Sequence, residues 1–471
     1  MSHAPRTDDE DMTIEEKLAL FEEKMRDAHV AAPAIATFRR QYLALAAGAT
    51  GMLGGDDITP VRSVPDYQEL DAPPEEESRD LLNRFAVIKL NGGLGTSMGL
   101  ERAKSLIEVK NGLSFLDLIA RQILHRRKSY GISLPILFMD SYNTQSDTLA
   151  ALSRYPDLGS VVPLSFLQNK VPKILAADLT PAEHPRAPEL GWCPPGHGDI
   201  YTAMKSTGVL DALIRSGIRY AFVSNADNLG AALDPAIAAH MSKNGIEFLM
   251  EVADRTPADK KGGHLAQLRD GRLTLRESAQ CPPAERDAFE DVTVHRYFNT
   301  NNVWIDLSAL DHLLDLHGGT LPLPLIRNAK TLDPRDPTSP QVIQPESAMG
   351  AAISLFGKSA ALRVPRSRFA PVKTTDDLVA VRSDAYAMTE DYHIVPSKDI
   401  PVVVSLDPRY YRVLQQLDER FPYGPPSLIQ CTEFQVHGDV VFGAGITVSG
   451  AVHIHAPDVS RLFIPDGTQL S

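Results

Sequence analysis

The stretch FAVIKLNGGLGTSMG (85–99) joins a short apolar run to a loop rich in glycine. Residues 85–90 have the length and composition of a buried strand. Four glycines follow within nine residues, at Gly92, Gly93, Gly95 and Gly99. Glycine has no side chain, so the backbone N–H groups of such a loop can approach a ligand closely and point at its phosphates. The stretch therefore predicts a phosphate-binding loop at the carboxyl end of a buried strand.

Two widespread phosphate-binding motifs do not fit this loop. The dinucleotide motif G-x-G-x-x-G opens a helix and is followed about twenty residues later by an acidic residue. Here the spacing is Gly93, Gly95, Gly99, and no such acid follows at a strand end. The P-loop motif ends in Gly-Lys-Ser or Gly-Lys-Thr, which this loop lacks. The sequence thus disfavours both a hydride-transferring enzyme and a P-loop NTPase.

Short apolar runs alternate with helical patterns from about residue 84 to about residue 390. Besides residues 85–90, the runs are LPILFMD (134–140), YAFVSNAD (220–227) and EFLMEVA (247–253). Alternating strands and helices predict an α/β fold in which helices cover a mixed, mostly parallel sheet. Ligands of such folds bind beyond the carboxyl ends of the strands. The candidate site residues should therefore follow these runs.

The first fifty or so residues predict two amphipathic helices. Thr13 and Glu16 have the spacing of a capping box at a helix start. The apolar stripes of the two helices are Ile14, Leu18, Phe21 and Met25, and then Ile35, Phe38, Tyr42 and Leu45. Residues 49–80, rich in Gly, Pro and acidic residues, predict an irregular connection. Residues 1–80 are therefore interpreted as an N-terminal helical extension and linker, ahead of a catalytic domain over residues 81–390.

Apolar residues of the tail recur every six positions, in two interleaved series. The first series is Phe434, Val440, Ile446 and Val452, and the second is Val436, Phe442, Val448 and Ile454. A six-residue repeat with Gly438 and Gly450 at turns is typical of a left-handed parallel β-helix. We therefore predict a C-terminal domain over residues 391–471 that contains a short left-handed parallel β-helix. A two-stranded meander is the alternative.

Length, composition and charge exclude several classes of protein. At 471 residues the chain is long enough for two or three domains, and it lacks the run of about 18 apolar residues that a membrane span needs. The formal net charge of −13 opposes binding to nucleic acid and to anionic lipid. The polar start lacks the apolar core of a signal peptide, and the three cysteines have no disulfide or metal-binding pattern. A cytoplasmic protein without nucleic-acid or membrane partners is expected.

The phosphate loop continues into GLERAKSL (99–106), where Lys104 could bring a positive charge to bound phosphates. The stretch LNGGLGTSMGLERAKS (90–105) resembles the nucleotide-binding signature of the eukaryotic-type UDP-glucose pyrophosphorylase family. One departure is that Arg102-Ala103 stand where the family has Gly-Pro. The resemblance implies a Rossmann-like nucleotide-diphospho-sugar transferase domain with Lys104 as a catalytic residue. The nucleotide contacts that it implies are Leu90, Asn91, Gly92 and Gly93.

Two further segments resemble the parts of the family that hold the nucleotide base. FLQNKVPKI (166–174) resembles the segment whose glutamine bonds uracil, which implies Gln168. CPPGHGDIY (193–201) resembles the loop in which a glycine meets the base and a histidine meets the sugar phosphate. The implied residues are Gly196 for the nucleotide and His197 for the sugar phosphate.

Two more segments resemble the family's charged reaction centre. SNADNLGA (224–231) resembles the metal-binding strand end. It implies Asp227 as a catalytic residue and ligand of Mg²⁺, and Asn225 as a nucleotide contact. VPRSRFAPVKTTDDL (364–378) resembles the segment that carries a second catalytic lysine, which implies Lys373.

The sugar-binding elements of the family are matched by KGGHLAQ (261–267), LRESAQ (275–280) and FNTNNVW (298–304). The sugar-phosphate contacts that these matches imply, beside His197, are Gly263, Glu277, Asn299 and Asn301. The matched motifs follow the family's order from about residue 80 to about residue 455.

Each of these residues also has an ordinary structural interpretation. His197 could be a surface-loop histidine, and Asp227 could cap the next helix together with Asn228. Lys104 and Lys373 could be solvated lysines of the surface. The sequence by itself leaves these alternatives open, and the resemblance favours the functional ones.

The resemblance implies transfer of the uridylyl group of UTP to glucose 1-phosphate, which yields UDP-glucose and pyrophosphate. The attacking phosphate is already an anion, so catalysis requires positioning and neutralisation of charge rather than a strong base. Mg²⁺ on Asp227 and the amines of Lys104 and Lys373 would supply that neutralisation. One alternative is a related uridylyltransferase for N-acetylhexosamine 1-phosphate or for several sugar 1-phosphates. Another alternative is a catalytically silent sugar-nucleotide sensor.

The end of the tail bears on assembly. Octameric members of the family carry a final β-helix coil that packs against a neighbouring copy. In this chain the six-residue series stops at Ile454, and only PDVSRLFIPDGTQLS (457–471) follows. That remainder is short enough to cap the end of a solenoid without adding a docking coil. A monomer or a dimer is therefore expected rather than an octamer.

Overall fold

The structure is a computed structural model that describes residues 12–256, 259–260, 262–398, 401–457 and 460–471. The polar start (1–11), Lys261 of the KGGHLAQ motif and residues 458–459 of the tail lie outside this range. The chain forms two compact units. The first contains the chain up to residue 72, with residues 166–223 and 236–364, and the second contains residues 73–165, 224–235 and 365–471. The expected division into residues 1–80, 81–390 and 391–471 stays a prediction.

Thirteen α-helices lie in the described residues, and none of them is both long enough and apolar enough to cross a membrane. They are α1 (Ile14–Asp27), α2 (Ala32–Ala46), α3 (Glu75–Leu82), α4 (Phe115–Tyr130), α5 (Gln145–Leu152), α6 (Ile200–Ser206), α7 (Val209–Arg215), α8 (Pro235–Asn244), α9 (Arg286–Glu290), α10 (Leu307–Leu316), α11 (Thr375–Arg382), α12 (Pro408–Tyr411) and α13 (Leu414–Arg420).

Strands occur along most of the described chain. The strands that begin before residue 300 are β1 (Ile58–Pro60), β2 (Phe85–Leu90), β3 (Glu108–Lys110), β4 (Leu113–Ser114), β5 (Ile136–Asp140), β6 (Ser165–Leu167), β7 (Val171–Pro172), β8 (Ile174–Leu175), β9 (Trp192–Cys193), β10 (Tyr220–Asn225), β11 (Phe248–Asp254), β12 (His264–Leu268), β13 (Leu273–Arg276) and β14 (Tyr297–Asp306). The later strands are β15 (Ile326–Thr331), β16 (Gln341–Glu346), β17 (Ser359–Arg363), β18 (Tyr386–Met388), β19 (Ile394–Pro396), β20 (Val403–Leu406), β21 (Ser427–His437), β22 (Val440–Phe442), β23 (Thr447–His455), β24 (Leu462–Ile464) and β25 (Gln469–Leu470).

All four apolar runs that predicted strands form strands. They become β2, β5, β10 and β11, with ends that differ from the expected ones by at most two residues. Almost every residue of these strands is buried. Continuous burial is expected for strands that are covered on both faces, and it explains why the runs are apolar throughout.

The direction of the strands differs in part from the expectation. In the second unit β2 and β5 are parallel, and in the first unit β11 and β17 are parallel. In the first unit, however, β14 is antiparallel to β10, β11 and β12, and β12 is also antiparallel to β1 and β13. The fold is α/β with mixed strand pairing, and the expectation of mostly parallel pairing is wrong for the first unit. Short turns such as the one between β12 and β13 enforce antiparallel pairing, whereas an apolar run does not encode direction.

The two N-terminal helices form as predicted, as α1 and α2. Thr13 and Glu16 make both hydrogen bonds of the capping box. The apolar stripes of the helices pack against each other, with the rings of Phe21 and Tyr42 5.0 Å apart. Ile14 is the exception, because 37% of its surface is exposed. The stripe of α1 therefore starts one turn later than expected.

The connection over residues 49–80 is less irregular than expected. Its strand β1 pairs with residues 266–268 of β12, and its last part already belongs to α3, which begins at Glu75. The connection therefore adds an edge strand to the first unit.

The C-terminal strands are parallel. β20, β21, β23 and β25 form one sheet, and β22 and β24 form another. All eight residues of the two six-residue series are buried in one apolar cluster. An antiparallel meander is therefore excluded for these strands.

Candidate functional site

The phosphate loop of the second unit is anchored at its first residue. The buried side-chain amide of Asn91 donates to Asp140 Oδ1 at 2.7 Å and to Thr148 Oγ1 at 2.8 Å. Asp140 ends the neighbouring strand β5, is fully buried, and also accepts from Ser165 Oγ at 2.6 Å. Burial raises the pKa of Asp140, and its hydrogen bonds act in the opposite direction. The side chain of Asn91 therefore fixes the loop, which leaves its backbone for a ligand.

The next residues of the loop are held through their carbonyl groups. The carbonyl oxygen of Leu90 accepts from the Ala226 N–H at 3.0 Å, and that of Gly92 accepts from Ser141 Oγ at 2.9 Å. Gly93 is exposed, and no heavy atom lies within 4 Å of the place where a side chain would begin. The loop is thus fixed on its carbonyl side, while Gly93 is open to an approaching ligand.

Lys104 and Asp227 form an ion pair in the second unit. The Lys104 Nζ atom lies 2.5 Å from Asp227 Oδ2, and both side chains are partly exposed. The backbone N–H of Lys104 also donates to the Gly93 carbonyl at 3.1 Å, which fixes the lysine beside the loop. Asp227 follows β10, whose last residue Asn225 accepts from the Asn228 N–H at 3.3 Å. The interpretation of Asp227 as a helix cap is wrong, since its carboxylate pairs with Lys104.

The segment that carries Lys373 is tied to the chain beside Asp227. The Asn228 side chain accepts from the Ala370 N–H at 2.9 Å and donates to the Arg368 carbonyl at 3.2 Å. The Val372 N–H donates to the Asp227 carbonyl at 3.2 Å. Asn228 thus joins two segments that are about 140 residues apart in the chain.

The Lys373 side chain is exposed, but its backbone is fixed. Its N–H donates to Asp377 Oδ2 at 2.7 Å, within the capping box at the start of α11. The ammonium group lies 5.7 Å from the centre of the Phe369 ring. Lys373 is therefore held at its base, and its tip is exposed over the Phe369 ring.

In the first unit, Asp199 holds the segment that contains Gln168. The backbone N–H of Asn169 donates to Asp199 Oδ2 at 2.6 Å, and the Asn169 amide donates to Oδ1 at 2.9 Å. Burial raises the pKa of Asp199 to about 7, although the two donors act in the opposite direction. Gln168 itself is 7% exposed, and its amide has no hydrogen-bond partner among the described residues. The amide N–H and carbonyl groups of the Gln168 side chain are thus available to a ligand.

Gly196 can be only glycine for two reasons. Its φ of +80° is strained for any other residue, and an added Cβ would lie 2.5 Å from the carbonyl oxygen of Ser347. The next residue, His197, accepts from the Met349 N–H through Nδ1 at 2.9 Å. Burial lowers the pKa of His197 to about 4. An accepting Nδ1 requires a neutral ring with the proton on Nε2, so His197 offers one N–H donor and no charge.

The predicted sugar residues of the first unit lie together. The Asn299 N–H donates to the Gly263 carbonyl at 3.0 Å, and a Cβ on Gly263 would lie 2.5 Å from Glu277 Oε2. The Asn299 amide donates to Asn301 Oδ1 at 2.8 Å, and the Asn301 N–H donates to Asn299 Oδ1 at 3.0 Å. Residue 263 must therefore be a glycine. Its close contacts place the Glu277 carboxylate near the amides of Asn299 and Asn301.

A sequence model of the family described as UTP--glucose-1-phosphate uridylyltransferase matches residues 36–449. The chain belongs to the UTP–glucose-1-phosphate uridylyltransferase family. The resemblance noted in the phosphate loop is thereby confirmed. Among curated relatives, the UTP--glucose-1-phosphate uridylyltransferase of Hordeum vulgare is 41% identical over 410 residues, which cover 86% of this chain and 84% of that protein. The probable uridylyltransferase of Schizosaccharomyces pombe is 38% identical over 397 residues, which cover 83% and 77%.

Solved structures of the same uridylyltransferase family have the same fold. A mutant UDP-glucose pyrophosphorylase from Leishmania major, solved in complex with UDP-glucose, has a TM-score of 0.91 and 44% identity, covering 98% of this chain and 99% of that one. The structure titled UDP-glucose phosphorylase from Trypanosoma brucei has a TM-score of 0.89 and 43% identity, covering 96% and 98%.

Sequence reasoning missed the residues that hold the uridylyltransferase motifs in place. Asp140, Asp199 and Asn228 each anchor a predicted segment through buried hydrogen bonds. One signal was available for Asp140, because it ends the apolar run 134–140 just as Asp227 follows the run that becomes β10. No local pattern indicates the structural role of Asp199. It stands two residues after His197 in CPPGHGDIY (193–201), a motif that was already interpreted as a substrate-binding loop.

Replacing His197 with Asn tests whether the ring is neutral. Asn Oδ1 can accept the Met349 N–H in place of Nδ1 but does not titrate. The pKa of His197 is about 4 in the folded chain and 6.5 when unperturbed, so between these values the unfolded chain alone binds the proton. The ring's contribution to stability is therefore present above pH 6.5 and lost as the pH falls towards 4. We expect the wild type to lose more stability than His197→Asn over this range, by at most about 1.4 kcal/mol per pH unit.

Urea denaturation of the two proteins at several pH values between about 4.5 and 7 measures this difference. All other titrating groups are shared, so their contributions cancel in the comparison. Parallel pH profiles would contradict the neutral, hydrogen-bonded state of His197.

Proposed function

We propose that this chain transfers the uridylyl group of UTP to glucose 1-phosphate, forming UDP-glucose and releasing pyrophosphate. The observation that carries the proposal is the ion pair of Lys104 and Asp227 beside the glycine-rich loop. It places a cation and a carboxylate where phosphates would be held. Membership of the uridylyltransferase family over residues 36–449 supports the choice of substrates.

The reaction is a direct displacement. A phosphate oxygen of glucose 1-phosphate attacks the α-phosphorus of UTP, the new P–O bond forms, and the bond to pyrophosphate breaks in line with it. The attacking group is already an anion, so a general base is not needed. The amines of Lys104 and Lys373 neutralise anions that otherwise repel each other. The exposed tip and fixed base of Lys373 suit a residue that reaches a phosphate only when one is bound.

We propose Asp227 as a ligand of Mg²⁺. This ion prefers oxygen atoms and is usually held by one or two carboxylates, substrate phosphates and waters. Asp227 fits this pattern as a single, partly exposed carboxylate, paired with a lysine that is bonded to the glycine-rich loop. When bound, the ion supplies positive charge at the phosphates. In the structure, the Asp227 carboxylate is paired with Lys104.

Recognition of the two substrates is assigned to polar side chains and to the backbone of Gly196. The free amide of Gln168 and the bare backbone of Gly196 suit the edge of uracil, which offers both donors and acceptors. Asn299 and Asn301, with Glu277, suit sugar hydroxyls in the same way. His197 contributes one N–H donor to the sugar phosphate without adding a titrating charge.

The rival functions have weaker support. A silent sugar-nucleotide sensor has no need of the lysine–carboxylate pair that Lys104 and Asp227 form. A uridylyltransferase for N-acetylhexosamine 1-phosphate would share the phosphate chemistry but must accommodate an acetamido group. The relatives named above carry the name of the glucose 1-phosphate enzyme.

Three finer features also belong to the proposal. The parallel C-terminal strands and their six-residue series support a left-handed β-helix, which an experimental structure would test. A cytoplasmic location is proposed from the three free cysteines, all of which are buried. A monomer or dimer is proposed rather than an octamer, and light scattering during size exclusion would decide between them.

A panel of substrates tests the proposed function. We expect pyrophosphate release with UTP and glucose 1-phosphate, and little release with ATP or GTP, because these bases leave the groups of the uracil site unpaired. Equal release with ATP at the same concentration would refute selection by Gln168 and Gly196. A preference for N-acetylglucosamine 1-phosphate over glucose 1-phosphate would identify the rival uridylyltransferase.

Removal of either proposed catalytic lysine should slow turnover without unfolding the protein. We expect Lys104→Ala and Lys373→Ala each to lower kcat by a factor on the order of a hundred or more, as for loss of one transition-state donor. Lys128→Ala, at the exposed end of α4, is the matched control and should keep full activity. A fully active Lys373→Ala protein would show that this amine does not reach the reacting phosphates.

Replacing Asp227 with Ala tests the proposed metal ligand. We expect loss of magnesium-dependent activity in a protein that stays folded, because the Asp227 side chain is partly exposed and its backbone bonds remain. Initial rates over a range of Mg²⁺ concentrations, with circular dichroism as the control for folding, measure this. If activity persists with unchanged magnesium dependence, the ion is held by the triphosphate or by another carboxylate.

A further inference from the structure

Strand β14 carries a bulge opposite Glu251 of β11. Met250 pairs with Val303, and Val252 pairs with Asn299, so residues 300–302 of β14 face the single residue Glu251. Such insertions locally bend a strand and re-aim its side chains, and they are common beside functional sites.

The bulge also contains a backbone conformation that most residues avoid. Asn301 has a φ of +58°, in the left-handed region, which Asn tolerates better than other non-glycine residues. Its N–H donates to Asn299 Oδ1, so the two residues form an Asx turn. Asn301 is the one residue of β14 that is not buried. The bulge therefore turns a pair of amides, Asn299 and Asn301, towards the proposed sugar site.

The carboxylate of Glu251 holds the bulge from inside the protein. Glu251 is fully buried. Its Oε2 accepts from the Asn302 amide at 3.0 Å, its Oε1 accepts from Trp304 Nε1 at 2.9 Å, and its backbone carbonyl accepts from Thr300 Oγ1 at 2.8 Å. All three donors are themselves buried. One residue thus bonds side chains on both sides of Asn301.

A carboxylate in this position is not explained by strand pairing. Burial of a charged group opposes folding unless the group is hydrogen-bonded, and the neighbouring positions of β11 are apolar. Gly350 adds a second constraint, because a Cβ there would lie 3.1 Å from the Asn299 amide nitrogen. Gly350 therefore restricts the position of the Asn299 amide. The hydrogen bonds of Glu251 fix the backbone on either side of Asn301.

We propose that Glu251 is a positioning residue that sets the amides of Asn299 and Asn301 for recognition of the sugar hydroxyls. It touches neither substrate and acts through Asn302, Trp304 and the bulge. The proposal rests on the proposed uridylyltransferase function, since it names the residue that determines how that reaction selects its sugar.

Three replacements of Glu251 separate positioning from folding. Glu251→Leu fills a similar space but removes the two carboxylate oxygens that accept from Asn302 and Trp304. Glu251→Asp keeps the charge on a shorter side chain that cannot reach both donors. In Glu251→Gln, the new amide oxygen can accept from Trp304. Its N–H can donate to the Asn302 side chain once the Asn302 amide rotates to present its oxygen, so this variant should recognise glucose 1-phosphate as the wild type does. Asp306→Asn is the matched control, because Asp306 is a buried carboxylate of the same strand that caps α10.

The measurements are thermal stability and the KM for each substrate separately. For Glu251→Leu we expect the KM for glucose 1-phosphate to rise on the order of ten-fold, with the KM for UTP changed less than about two-fold. Discrimination against galactose 1-phosphate should weaken as well. Glu251→Asp should show the same selective effect at smaller size, and Glu251→Gln should lie close to wild type. Asp306→Asn keeps the cap of α10 and loses the ion pair with Arg219, so it should show no selective change in KM.

Two results would overturn the proposal. One is an equal rise in both KM values for Glu251→Leu and Glu251→Asp. The other is a folded Glu251→Asp protein with an unchanged KM for glucose 1-phosphate, which decides the matter even if Glu251→Leu does not fold. Failure of the proposed function is a separate outcome, because the wild-type protein would then form no UDP-glucose from UTP and glucose 1-phosphate.

Discussion

Buried carboxylates must find hydrogen-bond donors, and this constraint organises the loops of the chain. Leaving a buried polar group unsatisfied costs about 1–3 kcal/mol, and more when the group is charged. Asp140, Asp199 and Glu251 each meet the requirement by binding N–H or O–H groups of a neighbouring segment. In each case that segment carries residues assigned to a substrate. The same interaction therefore stabilises the fold and fixes the shape of the site.

In this arrangement some residues hold a segment in place through hydrogen bonds, and their neighbours in the chain are left open to a ligand. The side chain of Asn91 fixes the glycine-rich loop, and binding of a ligand is proposed for the backbone of the loop. Gln168 keeps its amide free because its neighbour Asn169 makes the bonds to Asp199. Asn301 is open to a ligand because Asn302 and Trp304 hold the bulge from within. Residues that are proposed to contact substrate thus stand next to residues that hold the segment in place.

Charge is handled differently at the phosphate loop. The chain as a whole has a formal net charge of −13, which opposes the approach of a triphosphate. Lys104 is retained beside the loop by the carboxylate of Asp227, and both side chains are partly exposed. Burial lowers the pKa of His197, so its ring is neutral and its Nδ1 accepts from the Met349 N–H.

The sequence by itself determined the features that depend on neighbouring residues. The four apolar runs and the six-residue series of the tail were predicted because burial leaves apolar patterns along the chain, and the capping box at Thr13 was predicted from the spacing of two polar residues. The glycine-rich loop and Lys104 were also found from the sequence, because their residues stand close together in the chain. The resemblance to the uridylyltransferase family added roles that spacing alone does not give.

The tertiary structure alone decided the features that join distant segments. They include the antiparallel direction of β14, the pairing of Lys104 with Asp227 and the tautomer of His197. The bulge opposite Glu251 belongs with them, because a strand of apolar and amide residues contains no sign of its register. Each of these depends on which hydrogen-bond partner folding brings near, and that partner lies tens to hundreds of residues away in the chain.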